Sequence, residues 1–337
     1  MRDRWKLTLG ASLAALLMAG CGTSGGSGAA SGDTVRVMLV PGTIWGVPLQ
    51  AAQDQGYFKA AGIDVSVDEV SGGMGANQLL ASNTVEYGAS SPSQALAAVQ
   101  ENQDVTIACG GNKFTPTALV APAGSTLPST KTGATADQVL QGLRGKTVGI
   151  PVAVGTGTAN LLVETLAGAG LKTGDYSLIN IGTGASAQAA LTAKRVDAAM
   201  VVTPTVEPML ADGQVTELAY LSDSAPNYQL IGGVWQARRS WVEQHPKESA
   251  AFCSAMKQAY AYLQDPKNSS TVDGLVSDAV GKKTSAAGVA AIREHLTVLD
   301  ADITADAMQK TIDGLTRAGV LKAQPPVTFA GAVKLSS

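Results

Sequence analysis

From Thr34 onward, short apolar or alternating runs take turns with longer stretches of helical period. "TVRVMLV" reads as a strand and "PGTIWG" as the loop after it. "PLQAAQDQGYFKAAG" reads as a helix, opened by Pro48 at its first position and closed by Gly62. "IDVSVDEV" alternates as a strand does, and "SGGMGANQLLASN" is a Gly-rich turn running into a helix. "VEYGAS" is a short strand. In "SPSQALAAVQEN", Ser91 is a good N-cap, Pro92 takes the first helical position and Gln94 completes a capping box. "DVTIAC" is the next strand.

The same grammar then returns. "KTVGIPV" is a strand, "GTGT" a loop and "ANLLVETLAGAG" a helix with Leu162 and Leu166 on one face. "YSLINI", "GTGAS", "AQAALTAKRV" and "DAAMVV" repeat strand, loop, helix and strand, and Thr203 and Pro204 read as the cap and start of another helix. Strands alternating with single helices imply a mostly parallel sheet covered on both faces. The unit occurs twice, so two α/β lobes are expected. After "YQLIGGVWQAR" the pattern turns helical through Gly319; Phe252, Met256, Tyr260 and Leu263 share one helix face. This tail has no strand partners of its own and should pack onto one lobe.

Composition adds little to the fold and more to the setting. The 337 residues suggest about two domains, and 45% hydrophobic against 15% charged residues indicates a well-buried body. A net charge of −3 gives no electrostatic footprint for nucleic acid. Arg2, Arg4 and Lys6 precede an uncharged run from Leu7 to Ala19, too short to span a bilayer, so residues 1–20 read as a signal peptide. Gly22 to Gly32 hold only Gly, Ser, Ala and Thr, so residues 21–33 read as a flexible linker. The G-x-S-x-G pattern at Gly22 to Gly26 follows no strand and is a chance match. Export allows Cys109 and Cys253 to pair, but the plainer expectation is two separate buried thiols.

The stretch Met18-Ala19-Gly20-Cys21 resembles a bacterial lipobox, which implies cleavage before Cys21 and lipidation of that cysteine. Two or three acyl chains hold a protein at a membrane durably. "GYFKAAGIDVSV", "VEYGASSPSQALAA", "LRGKTVGIP", "LLVETLAGAGL" and "ALTAKRVDAAMVVTP" resemble periplasmic substrate-binding proteins of ABC importers. The branch they resemble is the nitrate/sulfonate/taurine type, which includes binders of thiamine-pyrimidine precursors. The resemblance covers about residues 34 to 245. It implies a two-lobed α/β periplasmic-binding-protein fold of type II-like form, with mixed, mostly parallel sheets, two crossing hinge segments and a helical C-terminal tail. By resemblance, Thr117 to Pro122 and Tyr228 to Val234 are the crossings. Lobe one is then 34–121 plus 229–337, and lobe two 122–228. The implied partners are a small-molecule ligand, an ABC permease with its ATPase, and a membrane through the lipid anchor. The protein would be an exported monomer, facing the periplasm or cell exterior, and no cofactor is implied. The ligand would be a small organic anion of the sulfonate, taurine or nitrate kind, or a small aromatic metabolite.

In open α/β sheets, ligands sit beyond the carboxyl ends of the strands. There the chain has Thr43 to Gly46, Ser71 to Ala76, Ser90 and Ser91, Gly155 to Thr158, Gly182 to Ser186, and Thr203. Small and hydroxyl residues admit a ligand to helix-start N–H groups, whose dipole favours negative charge. The candidate ligand contacts from these loops are Thr43, Trp45, Gly46, Gly73, Met74, Ser90, Ser91, Gly155, Thr156, Gly157, Thr158, Thr183 and Thr203. Trp45 lies among glycines, a poor place for a core residue, and reads as cleft lining. Phe114 and Trp235 adjoin the expected crossings as candidate cleft walls. Lys113 is the one nearby cation, suited to a sulfonate or carboxylate, while the absence of a cleft-loop arginine keeps a neutral ligand open.

Enzyme signatures are sparse. Gly182, Gly184 and Ala187 match a G-x-G-x-x-A dinucleotide turn, yet Asp197 comes at the start of the next strand rather than its end. There is no P-loop, H-E-x-x-H or paired C-x-x-C. Of the two histidines, His245 precedes Pro246 at a helix end and His295 lies in "AAIREHLTVL", away from the cleft loops. A non-enzymatic binder is expected. The alternatives are a pyrimidine-precursor synthase or dinucleotide-dependent enzyme on the same fold, and a sensor or adhesion lipoprotein.

Overall fold

Among the described residues, ten strands form two five-stranded sheets. The structure, a computed structural model, describes residues 34–40, 43–70, 75–155 and 157–335. The expected signal peptide, linker and Cys21 lie outside the described residues. The strands are β1 (Val35–Leu39), β2 (Val65–Glu69), β3 (Tyr87–Ser90), β4 (Thr106–Asn112), β5 (Thr117–Pro122), β6 (Thr147–Ile150), β7 (Ser177–Asn180), β8 (Ala198–Val202), β9 (Val215–Tyr220) and β10 (Gly233–Ala237). The helices used below are α1 (Gly46–Asp54), α2 (Pro92–Gln100), α3 (Gly157–Gly168), α4 (Ala185–Thr192), α5 (Val206–Ala211), α6 (Pro246–Gln264), α7 (Ser269–Val280), α8 (Ala286–His295) and α9 (Ala305–Arg317).

The first sheet has the order β2-β1-β3-β10-β4 and the second β7-β6-β8-β5-β9. In each, the strand in fourth place runs against the other four. Topology explains the reversal. The chain leaves the first sheet at the carboxyl end of β4 and enters the second as β5, so β5 starts where the forward strands end. The return into β10 does the same for the first sheet. Both reversed strands therefore mark where the chain passes between lobes, and the forward strands end toward that passage.

The passages are narrower than expected. Thr117 to Pro122 is a fully buried strand paired with β8 and β9, so it belongs to lobe two and the first passage is only residues 113–116. The second runs from Gln229 to Gly232. Lobe one is accordingly residues 34–112 plus 233–335, with the tail helices packed on it. Its largest core joins β1, β4 and β10 to α1, α6, α7 and α8 through Val37, Leu49, Trp235, Phe252 and Ile292. Another joins α2, α9 and β10 through Leu96, Val234, Met308 and Ile312. Lobe two has separate cores on its two sheet faces, around Leu119, Leu162 and Leu166 on one and Val120, Leu191 and Val206 on the other.

Three local readings are corrected. The helix expected from Pro48 to Gly62 starts at Gly46 and breaks at Gly56, whose φ of 70° ends α1 before a short turn Tyr57–Ala60. The capping box at Ser91 is half formed: Ser91 Oγ accepts the Gln94 N–H, but the Gln94 side chain accepts from Ser90 instead. The two cysteines are not separate thiols. Cys109 on β4 and Cys253 on α6 form a disulfide across 144 positions, because α6 lies along the first sheet and brings their Cα atoms within 5.8 Å.

Candidate functional site

The strand ends and passages line a cavity of about 250 Å³ that is partly open to solvent. Lobe one contributes Ser91 and Ser93 from the start of α2, and Thr311 and Leu315 from α9. The passages contribute Thr115, Leu230, Ile231 and Gly232. Lobe two contributes Thr117, Leu161, Met200, Val202, Asn227 and Tyr228. The walls are mainly hydrocarbon, and no Lys, Arg, His, Asp or Glu lines them. Burial pushes the Tyr228 phenol well above its ordinary range, and its hydroxyl points at the Met200 sulfur, 3.2 Å away.

Most of the hydroxyls are already engaged. Thr117 Oγ1 donates to Thr115 O at 2.9 Å, and Thr115 Oγ1 to Gly232 O at 3.4 Å. Thr311 Oγ1 donates to Ala307 O at 2.8 Å and accepts the Ile231 N–H at 3.1 Å. Thr311 thereby ties a tail helix to the second passage.

A second inter-lobe contact stands apart from the passages. Glu207, in the first turn of α5, is 1% exposed. Its Oε1 accepts from Thr203 Oγ1, and His295 Nδ1 of α8 lies 2.6 Å from the same oxygen. A carboxylate only accepts, so Nδ1 carries the hydrogen. Glu207 Oε2 has no hydrogen-bond partner. The Tyr220 ring stands edge-on to His295 at 5.2 Å, and its hydroxyl is pushed well up by burial and, secondarily, by the Glu207 charge. Ser285 donates to Asp212 at 2.7 Å, and Gly288 lies so close to Pro208 that a Cβ would stand 2.9 Å from its Cα. This strut therefore needs glycine at 288. Elsewhere, Asn160 of α3 donates to Ala318 O at 2.7 Å.

A family model described as NMT1/THI5 like matches residues 46–269, more than half of the chain. The chain belongs to the NMT1/THI5-like family. Against curated protein sequences it has no significant match. Among solved structures it is similar to the periplasmic aliphatic sulphonate binding protein SsuA from Escherichia coli, at TM-score 0.70 and 17% identity over 91% of this chain and 94% of that one. It is similar to the periplasmic nitrate-binding protein NrtA from Synechocystis PCC 6803, at 0.65 and 14% over 87% and 83%. It is also similar to the desulfurization enzyme DSZB, at 0.67 and 16% over 89% and 96%. These likenesses establish a two-lobed fold that serves binding proteins and an enzyme. His295, Thr311, Leu315 and Ala318 lie beyond the span matched by the NMT1/THI5-like model, so this chain's tail takes part in the cavity wall, the Glu207 strut and the Asn160 contact.

The residues singled out from sequence meet different fates. Ser91 lines the cavity, and Ser90 is buried beside it, donating to Gln94. Thr43 closes its own turn by donating to Val40 O at 2.7 Å, and Gly46 opens α1. Trp45 is half-buried. Its ring covers Gly111 and Gly233 at the roots of both passages, where a Cβ would stand only 2.4 and 2.3 Å from ring carbons. Trp45 thus packs on the hinge roots and keeps only part of its surface open. Trp235 is not a cleft wall. It is fully buried on β10, its Nε1 donates to Tyr260 at 2.8 Å, and Trp45 stands edge-on to it at 5.3 Å.

Lys113 does not face the cavity uncompensated. Its Nζ lies 3.6 Å from Asp300, and with Phe114 it lines a different pocket beside Asp300 and Asp302. Thr203 is not a helix cap, since α5 begins at Val206; it serves Glu207 instead. Gly155 has φ 86° before α3, and Gly157 and Thr158 form that helix's first turn. Thr183 is exposed before α4. Gly73, Met74 and Thr156 lie outside the described residues. Asp197 accepts from the Thr147 N–H at the far end of its sheet, which removes the acid a dinucleotide turn requires. His245 stacks on Trp241. His295, expected away from the cleft loops, reaches across to α5 beside Thr203.

Sequence reasoning missed Glu207, His295, Thr311 and the apolar lining. An acid four residues after Thr203, in a first helical turn, was a usable signal for Glu207. The apolar lining residues carry no local mark that separates them from ordinary core.

Proposed function

We propose that this chain is the solute-binding component of an ABC importer. It captures a small organic molecule between its lobes and delivers it to a membrane permease served by an ATPase. The observation that carries this reading is the cavity built jointly by both lobes and both passages, so that an occupant touches every part a hinge motion would move. The NMT1/THI5-like assignment and the likeness to sulphonate- and nitrate-binding proteins support it.

Binding without turnover fits the lining. Among the described residues the cavity walls bring no carboxylate, imidazole, thiol or amine to the occupant, so the lining hydroxyls have no base beside them to activate a nucleophile. Export fits the disulfide, which persists in oxidising compartments. The lipobox-like Cys21 and the Gly/Ser-rich stretch after it support a lipid anchor on a leash, which raises local concentration at the permease.

Native mass spectrometry of the purified protein, followed by a thermal-shift screen of sulfonates, nitrate, pyrimidines and aromatic acids and alcohols, tests the reading. A bound solute should raise Tm with saturation and be recovered unchanged. Chemical conversion of the solute would reject the binder in favour of an enzyme.

A further inference from the structure

We infer that the end of lobe two farthest from the passages is a docking surface for anionic phospholipid headgroups. This goes beyond the solute-binding reading and does not depend on what the cavity takes. Three turns, at residues 142–146, 169–176 and 193–197, lead into the starts of β6, β7 and β8. They carry Arg144, Lys146, Lys172, Lys194 and Arg195. Hydrogen bonds join the turns side by side. The Ser177 N–H donates to Lys146 O at 2.9 Å and the Gly145 N–H to Asp175 O at 2.7 Å. The Thr147 N–H donates to Asp197 Oδ2 at 2.8 Å. Lys172, Lys194 and Arg195 are exposed, and Lys146 is half-buried.

The cations outnumber the acids beside them, and those acids are engaged. Asp175 meets Arg144 at 2.8 Å and accepts the Lys172 N–H at 2.8 Å. Asp197 accepts the Thr147 N–H, and Asp212, in the turn before β9, accepts from Ser285. Among the described residues, Lys146, Lys172, Lys194 and Arg195 make no salt bridge. The chain as a whole has a net charge of −3, so this end is a local reversal of sign.

The matching end of lobe one shows that the sheet plan does not require these cations. There the turns into β2, β3 and β4, at residues 61–64, 82–86 and 101–105, carry Asp64, Glu86, Glu101 and Asp104 and no Lys or Arg. The nearby Arg36 and Arg238 are paired with Glu86. One pair of positions makes the difference specific. β3 and β8 hold the same place in their sheets, and each is entered through a left-handed residue, Asn83 at φ 56° and Lys194 at φ 53°. Asn tolerates that conformation better than Lys. A lysine thus stands where the backbone favours Asn or Gly, with no salt-bridge partner in the protein to offset the strain, which points to a partner outside it. Lipid is the anion the sequence favours, because the lipobox-like Cys21 would keep the chain beside a membrane. Each Lys or Arg close to an anionic membrane strengthens binding about fivefold.

The test is a lysine-acylation footprint of the full chain in excess vesicles, either phosphatidylcholine alone or phosphatidylcholine mixed equally with phosphatidylglycerol. The readout is local, so attachment through the N-terminus does not mask it. Anionic vesicles should slow the acylation of Lys172 and Lys194 about fivefold relative to neutral ones, and high salt should abolish the effect. Lys247 and Lys267, exposed on lobe one, should react alike on both. Lys194→Asn with Arg195→Gln suits the left-handed turn and should keep the fold, yet remove most of the protection at Lys172. The control, Lys59→Gln with Lys283→Gln, changes net charge equally on lobe one and should leave that protection intact. Equal acylation of Lys172 and Lys194 on both vesicles overturns the inference. So does slowing shared by Lys247 and Lys267, or protection of Lys172 that survives the Lys194 and Arg195 changes. None of these outcomes touches the solute-binding reading.

Discussion

The two lobes share one sheet plan and carry unequal burdens. Each has five strands with the fourth reversed, because each receives the chain from the other at its cleft-facing end. Lobe one adds α6 through α9, a disulfide and a buried ion cluster. Lobe two has its sheet, the helices of its own βα units and little else. The common plan places the site, while the added tail decides which lobe is the fixed body. α8 also extends from lobe one to touch lobe two at His295, and α9 holds the second passage at Thr311, so the heavier lobe holds both the cavity rim and the outer strut.

The strongest way to break this contrast is to cut the disulfide. It closes a long loop, and removal of such a bridge typically costs about 2–5 kcal/mol. Cys253→Ser should lower Tm by several degrees and speed amide exchange in β4 and α6, with lobe two unchanged at its own opening rate. Equal loosening of both lobes would show that stability is shared rather than concentrated in lobe one.

A smaller effect is expected at Glu86, buried between Arg36 at 2.6 Å and Arg238 at 3.2 Å. Burial pushes its carboxyl up, but hydrogen bonds and charge from Arg36, with help from Arg238, outweigh this and hold it below the usual carboxylate range. The folded value is below the unfolded one. Its contribution is therefore complete above the unfolded carboxylate range and is lost as pH falls through the lowered folded value. Because the Arg36 side chain is 42% exposed, Glu86→Gln should cost about 1–3 kcal/mol near neutrality, the range for a lost hydrogen-bond partner. The gap to the unaltered protein should shrink in acid, as urea melts from neutral to acidic pH can check. A gap constant with pH would remove the ion cluster from lobe one's account.

The sequence made the repeated unit readable because period, Gly and Pro act locally. Pro92 and Gly56 punctuate the chain whatever surrounds them. Membership of a lobe is not local. The apolar run Thr117 to Pro122 reads equally as a crossing or a buried strand, and only its pairing with β8 and β9 decides. Trp235 sits next to a passage in sequence, yet strand alternation turns it into the core toward Tyr260. Cys109 and Cys253 meet because a whole helix packs on a sheet. At the site, the Ser91 turn was legible, whereas Thr311 and Leu315 came from a tail whose destination no nearby residue announces.

The smallest effect, and the one that most sharpens the contrast, concerns the strut between α5 and α8. His295→Ala removes a partner of Glu207 and leaves a buried carboxylate with only Thr203. Within a closed core such a loss is severe. Here the strut joins two lobes linked otherwise by narrow passages and a few contacts such as Ser285–Asp212 and Asn160–Ala318, so the lobes can part and let water reach Glu207. The penalty should then be about 1 kcal/mol in global stability, with the main change in shape. Small-angle scattering should give a larger radius of gyration for His295→Ala than for the unaltered protein, and Glu207→Gln in the same background should restore compactness, since the neutral amide does not demand solvation. If His295→Ala stays compact and instead loses several kcal/mol, the strut belongs to a rigid core, and the lighter lobe is fastened to the heavier one rather than hinged on it.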